Sequence, residues 1–130
     1  MKKIYIILAL IGMLVWTAAI FLRETSLMEY SFIRRLFWVA PNFGVVWAGV
    51  GFTYILYPRI RQKEFETKNT FPLVGIILVL LFVSEIIHHF FLDSPFDIWD
   101  MVASIIAAII IIAIYIFKKH KDEYYHFKRS

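Results

Sequence analysis

The chain contains no cysteine. Disulfides, thiol catalysis, a lipid-modified cysteine and cysteine-ligated metals are therefore all excluded. Lysine and arginine are missing from the whole of 71–117, and no charge of either sign falls within 4–22 or 41–58. Glycine numbers five and proline four. No phosphate-binding glycine loop, serine nucleophile elbow or zinc-protease motif occurs, so no motif defines a reaction. No internal repeat is visible either.

What is present is apolar. Of 130 residues, 61% are hydrophobic and 18% aromatic, with a mean hydropathy of +0.71. Soluble domains are about half apolar, whereas runs of about 20 apolar residues mark membrane spans. The composition is that of an integral membrane protein.

Four runs can each cross a hydrocarbon layer of roughly 30 Å. They cover about 4–22, 41–58, 71–92 and 95–117. Continuous stretches such as Ile105 to Ile116 favour helices over the period-two alternation of a membrane barrel. The first run has the charged start and apolar core of a signal peptide, but it continues to Leu22, and Trp16-Thr17-Ala18-Ala19-Ile20 is a poor cleavage site. It reads as a first transmembrane helix. The expected fold is all-α: one membrane domain over 1–130, an integral four-helix bundle.

Basic residues set the orientation. With both termini inside, eleven of the fourteen lie on the cytoplasmic side: Lys2 and Lys3, Arg59 to Lys68, and the basic cytoplasmic tail over 118–130. Arg23, Arg34 and Arg35 remain outside. This bias predicts an N-in, C-in protein of the cytoplasmic (inner) membrane. The tail's interleaved lysines and tyrosines suit anionic headgroups. Nucleic acid is not an expected partner, because the basic residues flank apolar spans.

Between the first two spans, 23–40 is too long for a simple turn. Leu27, Phe32, Ile33, Leu36 and Phe37 recur at helical spacing among Glu29, Arg34 and Arg35. A short interfacial helix is expected there, begun by Thr25 or Ser26 and broken at Pro41. Within the second span, Ala40, Gly44, Ala48 and Gly51 form a small-residue stripe that lets helices approach closely. It serves either a neighbouring helix or a second copy of the chain.

The densest polar cluster is 84–100, between the last two spans. Glu85, His88 and His89, at i, i+3 and i+4, share one flank of the third helix, while Asp97, Asp100 and Ser104 stripe the fourth. A short connection around Asp93-Ser94-Pro95 makes these helices antiparallel neighbours, so the two stripes face each other about one turn beneath the outer surface. Ionisable groups at membrane depth are costly and mark functional sites by default. Ser94, Pro95 and Asp97 also read as a helix cap, with Asp97 at the third position. Asp100 and Glu85 lie too deep for capping to explain. His88 and His89 point about 100° apart, so at most one faces Glu85 and Asp100, and the spacing favours His88. Arg34 and Arg35 are the cations nearest at hand. Glu-x-x-His is a metal-binding spacing in di-iron bundles, but it occurs here once. A single metal on Glu85, His88, Asp97 and Asp100 is the weaker alternative, and no cofactor is expected.

The pattern Glu85-x-x-His88, then Phe96-Asp97-x-x-Asp100-x-x-x-Ser104-x-x-Ala107, resembles the signature of VanZ-like membrane proteins. In that family Glu-x-x-Gln on one helix precedes Asp-x-x-Asp, then Asn and Gly, on the next. Glu85, Asp97 and Asp100 match; His88 stands in the glutamine position, Ser104 in that of asparagine, and Ala107 in that of glycine. The family's arginine between the helices is absent. Arg34 or Arg35 with Pro41-Asn42-Phe43 is similar to a motif before the family's second helix, which brings Asn42 into the expected site. The family is four- or five-helix and largely uncharacterised; its namesake is linked to tolerance of teicoplanin. The resemblance implies a bacterial cell-envelope role and no defined reaction. Together with the clustered charges and Arg34 and Arg35 it leads us to expect a lipid-linked or surface ligand in an external polar pocket; the basic tail adds membrane lipids, and the small-residue stripe a second copy of the chain, as further expected partners. The alternatives are a metal-dependent or acid–base membrane enzyme, and a structural or assembly subunit.

Overall fold

The computed structural model describes residues 2–93 and 95–128, with side chains described for 3–93, 95–124 and 128. Four helices carry the chain: α1 (Lys2–Leu22), α2 (Ser31–Arg61), α3 (Thr70–Phe91) and α4 (Ile98–Phe127). Short 3₁₀ turns at Ser26–Glu29 and Thr67–Asn69 join the first three. No strand occurs among the described residues. All four helices are long and apolar enough to cross a membrane. Their outer faces agree with that: Leu14, Val79, Leu80 and Ile109 are each more than half exposed in mid-helix. In water such apolar faces would drive aggregation.

Two expectations about the second span need correction. No separate interfacial helix forms, and Pro41 does not break the chain; residues 31–40 are the first turns of one continuous α2. At 1.5 Å per residue, its 31 residues reach about 46 Å, well beyond a hydrocarbon core of about 30 Å. Thr25 does not cap it: its hydroxyl donates backwards to the Leu22 carbonyl at 2.7 Å, and α2 starts after Tyr30 with no side-chain cap. α4 continues as helix to Phe127, through the basic stretch that begins at Lys118.

α1 and α2 pack more closely than ordinary side chains would allow. A Cβ placed on Gly12 would lie 2.5 Å from the Ala48 nitrogen and 2.6 Å from the Gly44 carbonyl. One on Gly51 would lie 2.5 Å from the Tyr5 carbonyl. Gly44, Ala48 and Gly51 therefore meet α1 of the same chain, and the stripe is not free for a second copy. Close backbone approach is the use of small residues in lipid, where helices gain nothing from hiding apolar surface.

The core runs through Tyr5, Leu8, Val46, Val50, Ala107 and Ile111. It ends in a buried hydroxyl cluster. The rings of Tyr5 and Tyr54 stack with centroids 3.5 Å apart, and both hydroxyls reach Thr70 Oγ1, at 3.4 and 2.7 Å. Thr70 donates its own proton to the Thr67 carbonyl at 2.7 Å. Both tyrosines must then donate, which fills the hydroxyl's one proton and two lone pairs. This knot ties the starts of α1 and α3 to the last turns of α2. The other end of the bundle, where α1 joins α2 and α3 turns into α4, is left for a different kind of polar cluster.

Candidate functional site

That opposite end holds a cavity of about 360 Å³ between α2, α3 and α4, closed by Arg23 just beyond α1. Asn42, Ser84, Glu85, His88, Asp100 and Ser104 line it with Trp38 and Pro41. Two carboxylates, one histidine and one guanidinium thus share a half-enclosed space among apolar helices.

Arg23 is held by the consequence of a proline. Pro41 has no N–H, so the Phe37 carbonyl four residues earlier loses its helical donor. Arg23 replaces it: Nε donates to Phe37 O at 3.2 Å, and Nη2 donates to Phe37 O and Trp38 O, each at 3.1 Å. The guanidinium also lies over the Trp38 ring, 4.5 Å from its centroid. This substitute donor satisfies the carbonyl that Pro41 orphans within the continuous α2. It also plants a positive charge at the mouth of the cavity.

The acids divide into two kinds. Asp97 immediately precedes α4 and accepts the Trp99 N–H on Oδ1 at 2.8 Å, which makes it the helix cap. The expected cap placed Asp97 two positions inside the helix; α4 starts later, at Ile98, and Ser94 lies outside the described residues. Glu85 reaches across from α3 and accepts the Asp97 N–H on Oε1 at 3.1 Å, pinning the start of α4 to the end of α3. Asp100 differs. Its Oδ1 is buried and has no hydrogen-bond partner among the described residues. Asp97, Asn42, Glu85 and Arg23 are its polar neighbours. An unpaired buried carboxylate oxygen is costly and invites a donor.

The remaining expected residues sort clearly. His88 lines the cavity, whereas His89 does not and sets its ring against Phe90, centroids 5.2 Å apart. Ser104 is buried, but its hydroxyl donates to the Asp100 carbonyl at 2.9 Å. Arg34 and Arg35 are not brought to the acids. Because α2 is unbroken, they project about 12 and 10 Å along the axis beyond Asn42. Among the described residues, no three His, Cys, Asp or Glu side chains come together as a metal-holding group, the Glu85, His88, Asp97 and Asp100 set included. Asp97 is turned away to its capping bond.

Arg23 and Trp38 were not anticipated at the site, nor were Leu81, Ser84 and Met101 in its lining. Arg23 carries a signal only in hindsight, as a cation within reach of a proline-interrupted helix. Trp38 carries none, because tryptophan near a span end is ordinary interfacial composition. No family model, curated protein or solved structure matches the chain. Chemically, the cavity can accept hydrogen bonds or a positive charge on Asp100 and Glu85, and can offer a donor or acceptor on His88.

Proposed function

We propose that the protein is a VanZ-like, multi-pass protein of the bacterial cell envelope that binds a ligand in this cavity and performs no defined reaction. The carrying observation is the buried, partnerless Oδ1 of Asp100, beside Glu85 and His88 in a cavity at one end of the bundle. A carboxylate oxygen so placed fits a ligand bringing a hydroxyl or amine donor. The charge bias of the loops supports an N-in, C-in orientation in the cytoplasmic membrane, which faces the cavity outward, where a lipid-linked or surface ligand is accessible. The test is Glu85→Gln combined with Asp100→Asn in a strain that depends on the protein. Altered sensitivity to envelope-targeting antibiotics is expected, and unchanged sensitivity with normal protein levels removes the proposal.

A second reading has its own observation. Glu85, Asp97 and Arg23 all bond backbone atoms of neighbouring turns, as in a structural or assembly subunit whose polar residues join helix ends. On that reading Asp100→Asn alone leaves the phenotype intact, while Glu85→Gln acts only by lowering the amount of folded protein.

A further inference from the structure

On the other flank of α2 an apolar groove runs along the α2–α4 surface. It consists of two adjoining hollows of about 500 and 490 Å³, which share Leu36, Val39, Ala103 and Ile106. The first is lined by apolar residues alone and extends to α1; the second ends at Phe32, Trp99 and Arg35. Neither hollow shares a lining residue with the polar cavity. We propose that this groove holds an acyl chain of an anionic phospholipid, with the lipid phosphate on Arg35.

Three observations carry it. Arg35 is exposed, and its side chain makes no hydrogen bond or ion pair with any described residue, in contrast to Arg23, whose Nε and Nη2 are both bonded. It stands at the polar end of an apolar groove, which is the layout of a lipid's headgroup and tail. Its neighbour Trp99 lies in the first turn of α4, at the level where indoles sit among headgroups. A guanidinium grips a phosphate with paired donors. A net anionic lipid is preferred over a zwitterionic one, whose ammonium offsets the phosphate charge. A second copy of the chain fits less well. Spans 4–22 and 41–58 bring no carboxylate to Arg35, whereas a copy seated by its α3–α4 end would bring one, so the test separates a second copy from a lipid. The inference is independent of the ligand proposed for the polar cavity.

The test uses the full-length protein, delipidated in mild detergent and offered phosphatidylglycerol and phosphatidylcholine of identical chains. Native mass spectrometry then counts the lipids retained. One phosphatidylglycerol per chain is expected in preference to phosphatidylcholine. Arg35→Gln should lower that preference about fivefold, the worth of one arginine beside an anionic headgroup. Arg34→Gln, exposed but outside the groove, should change it by less than about twofold. Val39→Trp, on the half-buried groove floor, should reduce retention of both lipids while circular dichroism reports unchanged helix content. Equal retention of the two lipids by the unaltered protein overturns the proposal. So does equal loss in Arg34→Gln and Arg35→Gln, or a dimer that carries no lipid.

Discussion

Arg23 donates to the Phe37 carbonyl in place of the backbone N–H that Pro41 lacks. One side chain beyond α1 thereby completes the hydrogen bonding of α2 and charges the rim of the cavity at the same time. Removing it leaves a carbonyl without a donor in an apolar setting, at a cost of about 1–3 kcal/mol. Arg23→Gln should therefore lower the thermal midpoint in detergent. Pro41→Ala restores the missing donor, so it should recover part of that loss in the double variant. A double-mutant cycle should find a coupling of about 1 kcal/mol or more; additive effects would mean that Arg23 does not substitute for the proline's donor.

The hydroxyl knot at the opposite end gives a second expectation. Thr70→Val keeps the shape but takes the acceptor from both Tyr5 and Tyr54. A loss of about 2 kcal/mol or more is expected, because two buried phenols are left unpaired. Thr70→Ser keeps the oxygen and should stay much closer to the unaltered protein. Denaturant or thermal unfolding in detergent compares them directly.

The close contact of α1 and α2 makes glycine positions unequal. Gly12→Ala drives a methyl to within 2.5 Å of the Ala48 backbone, which cannot yield as a side-chain tip would. Separating the helices should cost about 1–3 kcal/mol or more. Gly75→Ala meets nothing within 4 Å, and alanine's better helix propensity should leave stability unchanged or raised by up to about 1 kcal/mol. If both substitutions behaved alike, the packing of the stripe against α1 would be wrong.

Capping and binding can be separated at the acidic turn. Asp97→Ala should cost about 1 kcal/mol through the lost bond to the Trp99 N–H, and Asp97→Ser should restore most of it. On the ligand-binding reading, neither changes the antibiotic phenotype as strongly as Asp100→Asn at matched protein levels. A phenotype that tracked Asp97 capping strength instead would point to the structural role.

The sequence by itself determined four helices long and apolar enough to cross a membrane and the clustering of Glu85, His88 and Asp100 near one turn. These follow from local pattern: runs long enough to span, and i, i+3 spacing that puts side chains on one helix flank. The proposed orientation rests on the bias of loop charge. Tertiary structure decided what depends on distant segments meeting. The stripe of Gly44, Ala48 and Gly51 faces Gly12 of α1, where spacing left a neighbour and a second copy equally open. Pro41 reads locally as a break, yet α2 continues, and the missing donor is replaced by Arg23, eighteen positions away in the chain. That continuity also carries Arg34 and Arg35 past the acids that charge alone would pair them with. Periodicity reports which residues share a face; which donor reaches an orphaned carbonyl is a property of the packed bundle.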